Sequence, residues 1–460
     1  MYLPKSITFS LILLIGGLLL ISPTALTTFV GQPTLPRDAA AQELSEHILH
    51  NRPSPSPGVN DPNLRIETVY EGLELPTSMA FLGVNDILVT EKDSGRVQRV
   101  VNGELQEQPV IDVQVANNDE RGLLGIDISN TNGTGTNSQR YAFLFFTESG
   151  GGEDGDDWSG GIEPSGTRLY RYNIAEGIGG LQLTNETLLL DLPATPGPRY
   201  HGGPVAIGPD NNVYVVIGTV DHHETQAQNF EDGPPPDGTS GVIRIPQDGQ
   251  TANIQGIISS EIPLNLYYGY GMRQSFGMEF DPVTGNLWDT ENGPDSYDEL
   301  NLIEPGFNSG WRDLSGLAER AADVNIEEDL VDFDGRGRYS DPEFTWQQTV
   351  APTGLDFLNS SALGAAYQND LFVGDYNNGN LYHFDLNENR THLALEGPLA
   401  DRVADTTEEI QGVLFGEGLG RIIDMQVGPD GYLYVLSLRG SGTIYKIIPI
   451  GSEFWTYRVR

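Results

Sequence analysis

From Leu64 onward, apolar and polar residues alternate in short runs broken by Gly, Asp, Asn and Pro. The segments SMAFLGVNDILVTE (78–91), LLGIDISNTNGTGTNSQRYAFLFFTE (123–148), PVAIGPDNNVYVVIG (204–218), GMEFDPVTGNLWDTE (277–291), GLDFL to DLFVGDY (354–376) and DMQVGPDGYLYVLS (424–437) share one plan. Each has an alternating run, a turn, and a second run rich in Val, Leu and aromatics. Alternation with period two points successive side chains to opposite faces of a strand, so each segment predicts a β-hairpin. Several continue into a further strand, as at Gly95 to Val101, Gly166 to Tyr172, Gly241 to Ile245, Gly379 to Phe384 and Gly442 to Ile447.

No long stripe of apolar residues at helical spacing competes with this pattern, so the fold class is all-β. Six repeats of several dozen residues, each a sheet that cannot bury both faces alone, close most economically into a ring. The expectation is a six-bladed β-propeller of four-stranded antiparallel blades. Sealing it requires Leu64 to Tyr70 to pair with Thr443 to Ile448. The inserts 149–165, 219–240, 312–350 and 387–420 predict loops on the ring faces, where sites concentrate.

Composition narrows the function. With Gly 56 and Pro 29 in 460 residues, turns are frequent and long helices are disfavoured. The net charge of -40 repels a phosphate backbone, which excludes nucleic acid as a partner. Cys 0 removes disulfides, thiolate catalysis and thiolate metal sites together. Lys5, the apolar run Ile7 to Ile21 and the small residues Ala39-Ala40-Ala41 predict a signal peptide or membrane anchor over 1–41. Residues 42–62, containing Pro53-Ser54-Pro55-Ser56-Pro57-Gly58, read as a flexible linker, and 63–460 as the propeller. The bulk of the chain is expected to be secreted or extracytoplasmic, touching membrane only through its first segment.

Candidate chemistry gathers in ENGPDSYDELNLIEPGFNSGW (291–311). Gly293-Pro294 bends the chain after a strand, which frees main-chain carbonyls to face a cation. The alternative is a hairpin followed by a solvated acidic loop. The acidic loop EDGDDW (153–158) is a second place where a cation could sit.

Together with GLLGIDIS (122–129), HGGPVAIGPDNNVYVVIG (201–218), MRQSFGMEFDPVTGNLWDTENGPDSYDELNLI (272–303), LFVGDYNNGNLYHF (371–384) and GRIIDMQVGPDGYLYVL (420–436), this stretch resembles the glucose/sorbosone dehydrogenases. These are soluble, pyrroloquinoline-quinone-dependent aldose sugar dehydrogenases. The resemblance implies a quinone lying at the top of a six-bladed propeller with Ca2+, a histidine base, a small sugar or alcohol substrate and an electron acceptor that the sequence does not identify. Carried onto this chain, it places Ca2+-binding carbonyls at Gly293 and Pro294, catalytic groups at His201, Arg273 and Asp221, and cofactor-binding groups at Arg273, Gln274, Arg421, Glu120 and Asn377.

The chain departs from that pattern. The family's histidine position is Tyr200, with His201 one residue on. Thr219 stands where the orienting carboxylate belongs and Asp221 follows two later. A family Lys falls at Asn377 and an Arg at Ile423, exchanges that remove positive charge. Two other readings therefore stand beside the dehydrogenase. One is a propeller without catalysis that binds a glycan or protein. The other is a calcium-dependent lactonase-type hydrolase using Glu120, Glu291 and Asp221.

Overall fold

A computed structural model describes residues 56–129, 139–177, 179–251 and 254–451. The expected leader and most of the expected linker lie outside these residues. Alternation along the repeats becomes six sheets. Their innermost strands are Pro76–Gly83 (β1), Leu123–Ile128 (β2), Val205–Ile207 (β3), Ser275–Phe280 (β4), Pro352–Phe357 (β5) and Ile422–Val427 (β6). Each packs against the next, and β6 against β1, so the innermost strands form a closed circuit. This is an all-β propeller with mainly antiparallel blades.

The blades are not uniformly four-stranded. The sheet of β3 has six strands, its last two, Phe307–Asn308 and Arg338–Tyr339, joined in parallel. The sheet of β4 gains a parallel fifth strand, Val403–Ala404. Both additions come from or border the long inserts, whose short extended pieces cover edges that the hairpin pattern leaves open. Gly58–Val59, inside the expected linker, pairs with Gly416–Glu417 and joins the sheet of β5. Order therefore begins before residue 63.

Closure follows the expected pairing. Leu64–Leu73 runs antiparallel to Gly442–Pro449, with Ile66 opposite Ile447 and Thr68 opposite Tyr445. Apolar side chains fill the space between neighbouring sheets. Trp288, Leu300 and Trp346 of one sheet meet Phe357, Val373 and Tyr382 of the next, all buried.

At the axis, carboxylates stitch one blade to another. Asp127 accepts from the Ile207 N–H at 2.8 Å, and Asp356 from the Val427 N–H at 2.5 Å. Asp424 accepts from the Met79 N–H at 2.8 Å and the Ser78 hydroxyl at 3.1 Å, across the seam where the ring closes. An innermost strand has N–H groups on its inner edge that no ladder satisfies, and these side chains satisfy them. Among the described residues no helix is long and apolar enough to cross a membrane.

Candidate functional site

A cavity of about 590 Å³ opens at the axis where the innermost strands begin. Arg273 and Gln274 precede β4, Glu120 lies in the loop before β2, and Gly293-Pro294 follows the strand Leu287–Glu291. All five line the cavity, as does Asn377. The topology thus brings together residues that are more than 250 positions apart.

Arg273 is the centre of the arrangement. Its guanidinium donates to the carbonyls of Asn292 at 2.9 Å and Gly293 at 3.1 Å, and to the Tyr200 hydroxyl at 3.0 Å. It also lies 4.5 Å from the centroid of the Tyr200 ring and 5.4 Å from that of Trp311. A cation against two aromatic faces is held in place and partly desolvated, which strengthens its field in the cavity. Beneath it, Glu291 accepts from the Arg273 N–H at 2.6 Å and from the Ser309 hydroxyl at 2.6 Å. Burial raises the Glu291 carboxyl to about 7.

Glu120 faces this cation. One oxygen, Oε2, accepts from the Tyr200 N–H at 2.6 Å and from the Gln274 side-chain amide. Among the described contacts its other oxygen has no hydrogen bond. Burial raises the Glu120 carboxyl above its ordinary value, against the lowering by those two bonds. The loop carrying Glu120 is tied down at both ends. Lys92 donates to the carbonyls of Asn117, Asp119 and Arg121 at 2.8 to 3.2 Å, and Asp157 accepts from the Asn117 N–H and pairs with Arg121 at 2.9 Å. The acidic loop 153–158 is therefore a backbone anchor. Asp154 likewise takes the Val115 N–H and Asp156 the Ser149 hydroxyl.

His201 is not in the cavity. It is fully buried, with Nδ1 3.1 Å from the Thr167 hydroxyl and Nε2 3.1 Å from the Gly197 carbonyl. Desolvation pushes it down to about 4, so it stays neutral. Its expected role as the base is corrected: the off-by-one register sends the imidazole into the interior between blades and turns Tyr200 toward Arg273. Asp221 does not reach His201 either. No described hydrogen bond links them, and Asp221 packs against Gly197 from a residue with φ of 58°.

Arg421 is exposed at the rim. It does not itself line the cavity but donates to the hydroxyl of Tyr376, which does, at 3.2 Å. The three acids of the hydrolase reading do not converge, since only Glu120 lines the cavity.

The cavity has two groups of unmet polar atoms that bear on the cofactors. Asn292 Oδ1 and Arg273 Nε are buried without a partner, an acceptor and a donor respectively that a polar ligand would satisfy. They fit an oxygen-bearing planar cofactor such as pyrroloquinoline quinone. Calcium at Gly293 and Pro294 fits poorly, because the Gly293 carbonyl already accepts from a guanidinium, and a second cation there would be repelled.

The sequence pattern did not show that Tyr200 bonds both Glu120 and Arg273, nor did it mark Asp298 as a site group, which lines the cavity and accepts from the N–H groups of Gly293, Val350 and Ala351. Burial raises Asp298 to about 6. The signal for Asp298 was the adjacent Gly-Pro bend, whose exposed N–H needs an acceptor.

Residues 73–446 match the family described as Glucose / Sorbosone dehydrogenase. An uncharacterized protein of Synechocystis is 27% identical over 84% of this chain and 87% of its own length. The aldose sugar dehydrogenase of Escherichia coli is 23% identical over 84% of this chain and 93% of its own. The fold is shared with the PQQ-bound aldose sugar dehydrogenase of Streptomyces coelicolor, at a TM-score of 0.59 and 22% identity over 85% of this chain and 99% of that one. A match over most of the chain, on a ring whose axial cavity holds the motif residues, establishes that this protein belongs to the Glucose / Sorbosone dehydrogenase family of sugar oxidoreductases.

Proposed function

We propose that this protein oxidises a hydroxyl of a sugar or related alcohol in the axial cavity, with Glu120 receiving the hydroxyl proton and Arg273 stabilising the oxygen that loses it. The observation carrying this reading is that Tyr200 joins the two groups. Its N–H holds Glu120 and its hydroxyl accepts from Arg273, while the second Glu120 oxygen is left without a described bond. A carboxyl raised by burial is a stronger base once ionised than one in water, and a fixed guanidinium favours the developing alkoxide. Glu120 thus takes the part that the resemblance gave to a histidine.

Pyrroloquinoline quinone, when bound, supplies the hydride acceptor, and Arg273, Gln274, Asn377 and rim Arg421 would hold it. Calcium is not part of the proposal, since Arg273 already places positive charge on the Gly293 carbonyl. The six sheets are read as six blades of one ring, supported by the circuit of innermost-strand contacts. Export through the segment containing Lys5 and the apolar run to Ile21 completes the proposal.

The test is reconstitution. Purified protein mixed with pyrroloquinoline quinone is expected to shift the cofactor's absorbance and to reduce a dye when an aldose is added. Absence of cofactor binding at micromolar concentration would overturn the proposal in favour of a propeller that binds a glycan without oxidising it. That second reading is favoured by Tyr200 at the histidine position and by Asn377 and Ile423, which leave two cation positions empty of charge.

A further inference from the structure

Away from the axis, the sheet of β5 carries three metal-ligating side chains that the sugar chemistry does not use. Asp370, His383 and Asp385 each present a ligand atom within 4.8 Å of the others. His383 Nε2 lies 2.9 Å from Asp370 Oδ2 and 3.9 Å from Asp385 Oδ1. The register explains the convergence. Leu371 pairs with Phe384 and Phe372 with His383, so Asp370 stands directly across from Asp385, with His383 on the same face. Like charges facing each other across a ladder are destabilising unless something neutralises them.

The imidazole is not free to swing away. Its ring lies 5.0 Å from that of Phe372 and 5.3 Å from that of Tyr367, which fixes where Nε2 points. One side of the cluster is open. His383 and Asp385 border a groove of about 620 Å³ whose walls include Glu396, Glu408 and Glu409.

We propose that Asp370, His383 and Asp385 form a binding site for a divalent transition ion of the zinc type, with the remaining coordination position facing the groove. One imidazole and two carboxylates make a nitrogen–oxygen set that suits zinc better than calcium, which takes oxygen ligands. Ligand atoms around a tetrahedral zinc stand about 3.3 Å apart, from bond lengths of about 2.0 to 2.1 Å. The two separations measured from His383, 2.9 and 3.9 Å, bracket that spacing. A bound dication would remove the repulsion between Asp370 and Asp385 and clamp the two strands together at the blade's outer part.

The test is calorimetric titration of full-length, chelator-treated protein with zinc chloride in millimolar calcium, which occupies oxygen-only sites on this acidic surface. The expected result is one equivalent of zinc per chain, accompanied by a higher midpoint of thermal unfolding. The equivalent is expected to disappear in His383→Ala and its affinity to fall at least about tenfold in Asp385→Asn. Asp385 is exposed, so that second variant folds even if His383→Ala, which loses aromatic packing, does not. The inference is overturned if the intact protein takes up no zinc, or if Asp385→Asn binds zinc as tightly as the parent.

Discussion

Replacing Glu120 by Gln probes the proposed base directly. The substitution keeps the side chain's shape and leaves a carbonyl oxygen to accept from the Tyr200 N–H, which the carboxylate takes at 2.6 Å. What it removes is the proton acceptor. Loss of a positioned general base lowers turnover by about 10² to 10⁴, or about 3 to 5 kcal/mol of barrier. The assay is steady-state dye reduction by cofactor-loaded protein, with occupancy checked by absorbance so that lost binding is not mistaken for lost chemistry. The pH profile gives a second readout. Burial holds the Glu120 carboxyl above its ordinary range, and the base works only when ionised, so activity rises with pH through that raised value. In Glu120→Gln this limb disappears. Turnover within about threefold of the parent with the same limb would remove Glu120 from the mechanism.

Three further outcomes follow from the geometry. His201→Ala is expected to destabilise the fold by about 2 to 4 kcal/mol, because it opens a cavity and strands the Gly197 carbonyl, while turnover per folded molecule persists; chemical denaturation and activity measured together check this. Because His201 is held down at about 4 from an ordinary 6.5, the unfolded chain binds more protons between those values. Its stabilisation, about 3 kcal/mol, is complete above about 6.5 and is lost as pH falls toward 4, an acid dependence that His201→Ala should lack. Chelation of calcium is expected to leave cofactor binding unchanged, since Arg273 serves the Gly293 carbonyl; a calcium requirement in the absorbance titration would contradict that assignment. Asp424→Ala strands the N–H groups of Met79 and Met425 and the Ser78 hydroxyl at the seam, and should cost about 3 kcal/mol in equilibrium unfolding.

The repeating hairpins were legible because a strand's alternation is a local property, set by which face of each residue meets water. The closure of Leu64–Leu73 on Gly442–Pro449 was legible for a related reason: a ring without a seam partner would expose an edge, and only the terminal runs remained to pair. Glu120, Arg273, Gln274 and Asn377 reached one cavity as the motif order implied. The extra parallel strands were not legible, because Phe307–Asn308 and Val403–Ala404 have two residues each, too few to show a period.

Side-chain direction was decided only in three dimensions. His201 and Tyr200 are neighbours in sequence and equally polar in pattern, yet one is buried against Thr167 and the other turns to Arg273. That choice rests on the backbone at Tyr200, where φ is 61°, and on the acceptors waiting on either side, neither of which a linear pattern records. The sequence by itself determined the strands, the ring and the acidic, cysteine-free chemistry available to it. Tertiary structure decided which charges face each other, because a guanidinium's partner is whatever the folded chain brings within about 3 Å of it.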